Sequence, residues 1–338
     1  MIAEYKYIQI IGTQRSGSNL LRVMLNQLPD IVAPHPPHIL QNFLPIIDKY
    51  GNLQNDYNYK QLIEDVCRFV ELNPVPWTGI DLIRADIFSG SKNRSVYEIF
   101  RLVYEAYTRS KNGSIWCCKS MTNVNYVNEI EKSKLDPFYI YLFRDGRDVA
   151  LSFKKAIVGE KHIYHLAKKW KDDQENSLNF LKNISDSRKH ILSYEELIKS
   201  PEKCLKQICN KLNIDFDPKM LTYYNSDESR VTAASGEMWV NVQRPIIRSN
   251  TKKYRKGLSV EEIKIFESVS KDTLKKLGYV PDYSKNGHVH EIKQDLIALY
   301  SLENENLKLE ARKRAKKTDL EKRKLQTAFL YEVINRPL

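Results

Sequence analysis

The chain has 338 residues, 42% hydrophobic and 10% aromatic, which is ample for a globular core and excludes a disordered protein. Lys and Arg number 54 against 42 Asp and Glu, so the net charge of +12 favours anionic partners such as nucleotides, nucleic acid or a membrane surface. The five cysteines (Cys67, Cys117, Cys118, Cys204, Cys209) form no C-x-x-C pair, and no apolar run reaches membrane-spanning length or reads as a leader. We therefore expect reduced thiols, no transmembrane segment and a cytoplasmic protein.

In chain order, "YKYIQIIG" is a strand-length apolar run ending at Gly12, and "SNLLRVMLNQL" follows with Leu20, Leu21, Met24, Leu25 and Leu28 at helical spacing. "YKQLIEDVCRFVEL" and "SVYEIFRLVYEAYTRS" read as amphipathic helices of an insertion over residues 57–110. Further strands are expected at "SIWCC", "FYIYLF" and "KHILSY", whose near-continuous apolar character suits a parallel sheet covered on both faces. "SPEKCLKQICNKLNI" carries helix-start signals: a capping Ser200, Pro201 at the first position and Glu202 in the first turn. "DESRVTAASGEMWVNVQRPIIRSNTKKYRKGLS" has no clear period, and loops of that length commonly bind or cover a ligand. The last fifty residues form a long charged helical run whose apolar stripe at Ile292, Leu296 and Leu299 fades. The pattern predicts an α/β fold: a P-loop-like core with a mostly parallel central sheet flanked by helices, a helical insertion and a long C-terminal helix. The expected division is a core over residues 1–285 and a charged helical extension over 286–338, where interleaved Glu and Asp favour a solvated face over a nucleic-acid arm.

The turn between the first strand and helix is built as a phosphate-binding loop. Gly12, Thr13, Gln14, Arg15, Ser16, Gly17, Ser18 and Asn19 offer backbone N–H groups, a helix N-terminus and side-chain donors to an anion. The nucleotide-triphosphatase version needs a Lys after the second Gly and then a hydroxyl for Mg²⁺, whereas Ser18 and Asn19 stand here. A metal-free anionic group is therefore expected rather than a Mg-bound triphosphate. In the second constellation, "FYIYLFRDGRDVALSF", an apolar strand delivers Arg144 at its carboxyl end and the following helix carries Ser152, so both can face one phosphate. The structural alternative is an ordinary charged strand end in which Asp145 and Asp148 pair with Arg147. His162, His165 and His190 have no metal-ligand spacing, and His288 with His290 is a lone H-x-H, so no metal is expected.

Together the two segments resemble the sulfotransferase family that uses 3′-phosphoadenosine 5′-phosphosulfate, including its tyrosylprotein and cytosolic branches. Gly12, Arg15, Ser16, Gly17 and Ser18 match the family's first motif, and Arg144, Asp145, Arg147, Asp148 and Ser152 match its second. "ILSYEELIKSPEKCLKQICNKLNI" and "KKYRKGLSVEEIKIFESVSKDTLKKLGY" look like its later landmarks, so the resemblance runs roughly from Tyr5 to Tyr279. It implies that the first loop holds the 5′-phosphosulfate, that Arg144 and Ser152 hold the 3′-phosphate together with Arg255, Lys256 and Gly257, and that Tyr194 lies near the adenine.

Sulfuryl transfer requires two reactants held in line, cations on the bridging oxygen and a base for the acceptor proton. Arg15 and Lys119, which matches the family's K-S/T step after "SIWCC", are the expected cations. Where the cytosolic branch has a His two residues after that lysine, this chain has Met121; other branches place a Glu in the loop after the first helix, which here reads "LPDIVAPHPPHIL". His35 and His38 are therefore the candidate bases, with Glu98 in reserve. The favoured acceptor is a small hydrophobic alcohol such as a sterol or lipid; the alternatives are an amine, a peptide or a glycan. Trp77, Phe88, Tyr97, Phe100, Tyr104, Tyr107, Met238 and Trp239 either line its pocket or are core. No nucleic-acid partner is expected, and the C-terminal helix offers a route to a homo-oligomer. Two other function classes fit the same bulk features: a catalytically silent nucleotide-binding or assembly protein, and a small-molecule kinase.

Overall fold

Short strands rich in Ile, Tyr, Trp and Phe bury both faces, and pair in parallel because helices return the chain to the same end of the sheet. The computed structural model describes residues 6–283 and 292–336; His288, His290 and the expected 285/286 boundary lie outside them. The strands are β1 (Lys6–Ile11), β2 (Ile31–Val32), β3 (Ile115–Cys118), β4 (Phe138–Phe143) and β5 (Lys189–Ser193), in the order β2-β3-β1-β4-β5, all parallel. Ile8 of β1 pairs with Cys117 on one side and Phe138 on the other, so β1 is central. From β1 the chain crosses to the β2 edge, returns through β3 and then passes to β4 and β5 on the other side, and this reversal opens a crevice at the carboxyl ends of β1 and β4. The expected α/β class, parallel sheet and helical insertion are all present. The two-residue β2 was not anticipated, being too short for any apolar period.

The helices used below are α1 (Ser18–Leu25), α2 (Asp56–Glu71), α3 (Val96–Ser110), α4 (Gly146–Lys155), α5 (Ile163–Leu181), α6 (Pro201–Leu212), α7 (Val260–Lys276), α8 (Gln294–Arg314) and α9 (Lys317–Asn335). Strand alternation sends Trp116 and Cys118 into one apolar cluster with α2 and α3, and Ile115 and Cys117 into another with α1 and α6. The insertion aromatics Trp77, Phe100, Tyr104 and Tyr107 belong to the first cluster: Tyr104 and Phe100 lie 5.0 and 5.3 Å from Trp116, and Trp77 lies 5.0 Å from Tyr104. They are core. Pro201 starts α6 as expected, but the Ser200 side chain makes no capping bond.

The C-terminal run is two helices, because Ala315 and Lys316 are extended (ψ 144° and 135°). Both pack on the body. Asn304 of α8 is buried and accepts the N–H groups of Lys161 and His162 at 2.8 and 2.9 Å, which caps the approach to α5. Phe329 and Val333 of α9 enter the core cluster beside α2, Gln326 donates to Phe69 O at 2.9 Å, and Arg336 pairs with Asp65 at 2.7 Å.

The R-D-G-R-D turn after β4 separates two jobs. Arg147, 2% exposed, forks onto Asp145 (2.8 Å) and reaches Glu267 of α7 (2.8 Å), so its charge is spent inside the protein. Replacing Arg147 with Ala removes the cation shared by the buried carboxylates of Asp145 and Glu267 and should cost about 3–5 kcal/mol of stability. Urea unfolding of the wild type and the variant checks this; a cost below about 1 kcal/mol would contradict the assigned role.

Candidate active site

The loop between β1 and α1 turns through three positive-φ residues, Gly12 (126°), Arg15 (72°) and Gly17 (90°). A Cβ on Gly12 would stand 2.4 Å from Leu142 O, and one on Gly17 would stand 2.3 Å from the Tyr194 ring, so both positions need glycine for close approach as well as for φ. The backbone N–H groups of residues 13–17 make no backbone hydrogen bond of normal length and angle among the described residues. Ser16 Oγ and Arg144 Nε are buried and likewise without a partner. Buried donors are nearly always paired, so a cluster of free ones marks a place that something else completes.

Two arginines face that loop. Arg15 Nε donates to Ser152 Oγ of α4 at 3.0 Å. Arg144 donates to Arg15 O at 3.3 Å and to Asn250 O at 2.8 Å, and its guanidinium lies 4.3 Å from the Tyr194 ring centre. Burial and the neighbouring Arg144 charge pull Arg15 down to about 10. Asn250 Nδ2 in turn donates to Tyr194 Oη at 2.7 Å. Asp148 lies 3.8 Å from Arg144 and accepts the N–H groups of Lys252 and Tyr254 at 2.7 and 2.9 Å, which ties the segment without periodicity to the strand end.

One cavity of about 680 Å³ is lined by Gln14, Arg15, Gly17, Ser18 and Asn19 of the loop, by Arg144, Ser152 and Tyr194, and by His35, His38 and Lys119. Gly12, Thr13 and Ser16 support it from behind; Thr13 Oγ1 accepts from Gln174 at 2.6 Å. Arg255, Lys256 and Gly257 do not line it: Arg255 pairs with Asp282 at 2.7 Å and Gly257 abuts Leu151, while nearby Lys253 does reach the cavity. Of the aromatic and apolar candidates only Met238 and Trp239 line it, both from the segment without periodicity. Asn250 and Asp148 as anchors, and Asp319, Arg323 and Gln326 of α9 in the wall, were not anticipated. Asp148 lay inside a recognised motif; nothing local marks the α9 residues.

His35 and His38 approach the cavity from the proline-stiffened loop. His35 is buried, both ring nitrogens lack partners, and its ring meets Trp239 edge-on at 4.5 Å. His38 adopts φ 63°, and its Nδ1 lies 3.1 Å from Ser120 Oγ. Burial together with the Lys119 charge lowers both, His38 to about 3, so both rings are neutral at physiological pH. Lys119 follows β3 and makes no hydrogen bond or ion pair among the described residues; burial, then Arg22 and Arg15, pull it down to about 7. Among the described residues no cluster of three or more His, Cys, Asp or Glu has metal-binding geometry, and no helix is long and apolar enough to cross a membrane.

An oxyanion seated beside Arg15 favours the charged form of Lys119 and raises its pKa. Binding should therefore take up a proton above pH 7, where the free amine is neutral, and the uptake should fade below it. Calorimetry in buffers of different ionisation enthalpy at about pH 8 and about pH 6 reads this directly. Equal proton uptake at both values would contradict the assignment.

The sulfotransferase family model matches residues 8–218, which contain the loop, both histidines, Lys119, Arg144, Ser152 and Tyr194. The fold is shared with the sulfotransferase domain from the curacin biosynthetic pathway: TM-score 0.54, 23% identity, 82% of this chain and 98% of that one covered. It is shared too with the sulfotransferase domain of the Synechococcus PCC 7002 olefin synthase: TM-score 0.52, 20% identity, 78% and 94% covered. No curated protein matches the chain by sequence. With the family model spanning well over half of its residues, the chain belongs to the sulfotransferase family.

Proposed function

We propose that the protein transfers a sulfuryl group from 3′-phosphoadenosine 5′-phosphosulfate to the hydroxyl of a small acceptor with an apolar body, without a metal, using a histidine as general base. The observation that carries this reading is a single cavity that joins a cradle of unpartnered donors to two neutral histidines. The donor set fits such a nucleotide: free loop N–H groups and Ser16 Oγ suit the 5′-phosphosulfate, and Arg144, Ser152 and the Tyr194 ring suit the 3′-phosphate and the adenine. Arg255, Lys256 and Gly257 serve that 3′-phosphate only if the Arg255–Asp282 pair opens.

When bound, the donor supplies an activated sulfuryl group, whose bond to the phosphate oxygen breaks as the acceptor oxygen bonds to sulfur. The chain's own residues do the rest. Arg15 and Lys119 set positive charge against the oxygen on which negative charge grows. His38 is the base: with Nδ1–H donated to Ser120 Oγ, its Nε2 lone pair is free to take the acceptor proton. Burial, and after it the Lys119 and Arg323 charges, depress the ring in the free protein, and a seated oxyanion offsets the part that comes from the charges. His35, packed on Trp239, positions the acceptor beside it. Pro36, Pro74, Met121, Met238 and Trp239 give the cavity an apolar wall suited to the acceptor's body.

Adenosine 3′,5′-bisphosphate at ~100 times its dissociation constant should stabilise the protein by about 2.7 kcal/mol, and Arg144→Ala should remove the shift. His38→Ala should keep the shift while lowering turnover by about 10²–10⁴-fold. A shift with ATP and Mg²⁺ in place of the bisphosphate would favour a kinase; no shift with either would favour a silent scaffold.

A further inference from the structure

The donor's oxyanions are met by the loop, Arg15 and Arg144; the cavity's other cationic side chains are Lys119, Lys155, Lys169, Lys253 and Arg323. Arg323 comes from α9, outside the residues that the family model matches. Its guanidinium lies 5.3 Å from the ring centre of Trp239, the same ring that packs on His35, so it stands at the histidine end of the cavity. It makes no hydrogen bond or ion pair among the described residues. Asp319, one turn earlier on the helix, is the nearest carboxylate influence on it, but Asp319 Oδ2 is engaged in accepting the N–H of Glu237 at 3.2 Å.

The helix that carries Arg323 is fastened on both sides of it. Lys316 pairs with Glu237 at 2.5 Å, Gln326 bonds to Phe69 O, and Arg336 forks onto Asp65. A guanidinium fixed over an indole face and half withdrawn from water is costly unless an anion completes it. Its planar donor fork matches a carboxylate or a phosphate. Resting on the transfer reading above, we infer that the acceptor is itself anionic: an alcohol whose apolar body carries a carboxylate or phosphate group, held by Arg323 while its hydroxyl lies at the histidines. Arg323 is then the residue that decides acceptor class, and α9 is part of the acceptor site.

The test uses the full chain and three probes: a hydroxy fatty acid, its methyl ester, and the phosphate monoester of the corresponding diol. Binding is measured by thermal shift and calorimetry, with and without adenosine 3′,5′-bisphosphate, for the wild type, Arg323→Gln and Arg323→Lys. We expect the acid or the phosphate monoester to bind roughly tenfold or more tightly than the ester in the wild type. Arg323→Gln should erase that preference, and Arg323→Lys should retain part of it. Which anionic probe binds better identifies the anion. Equal binding of ester and both anions, or an unchanged preference in Arg323→Gln, would overturn the inference. A missing bisphosphate response defeats the donor reading instead, and the acid-against-ester comparison on the free protein still decides Arg323. Retention of wild-type unfolding behaviour by Arg323→Lys separates lost recognition from lost folding.

Discussion

Two arginines held side by side with too little negative charge between them are the constraint on which the site depends. Arg15 donates to a serine hydroxyl and to no carboxylate among the described residues, and Arg144 sees Asp148 only at 3.8 Å. Arg147, three residues beyond Arg144, shows what this protein does when it wants an arginine silent: it surrounds the guanidinium with Asp145 and Glu267. The contrast within one turn separates structural from receptive charge. Left unmatched at the positive end of α1, with free loop N–H groups beside them, Arg15 and Arg144 create a field that an oxyanion completes.

The rest of the architecture keeps that field in place. The parallel sheet sets the β1 and β4 strand ends next to each other, and Gly17 lets the Tyr194 ring lie against the loop. Asp148 and Asn250 draw the late segment over the strand ends, which brings Trp239 against His35. Burial does most to keep His35 and His38 neutral and to bring Lys119 down to about 7, and the neighbouring cations push each the same way, so a bound anion changes the charge of Lys119.

What was legible in the sequence was what is local. The loop, the strand that delivers Arg144, Ser152 one α4 stretch later and Tyr194 after β5 are fixed by contiguous patterns, and one cavity gathers them. Partner choice across long separations was not legible. An R-K-G run does not announce that Arg255 turns to Asp282, and the insertion aromatics give no sign that they pack on Trp116 rather than on a ligand. The charged tail misleads for a physical reason: the apolar contacts of α9 are Phe329, Leu330 and Val333, gathered within about one turn, too few for a periodic stripe, and polar side chains do the rest of the docking. The Lys- and Arg-rich remainder looks solvated, and largely is, apart from the side chains that reach the cavity.

Arg144 and its neighbours are the groups proposed to read a 3′-phosphate, and calorimetry of adenosine 3′,5′-bisphosphate against adenosine 5′-phosphate tests that most directly. Removing the 3′-phosphate should weaken binding by about tenfold or more in the wild type and by little in Arg144→Ala, the coupling expected of a charge-assisted pair. Equal affinity of the wild type for the two nucleotides would contradict the account.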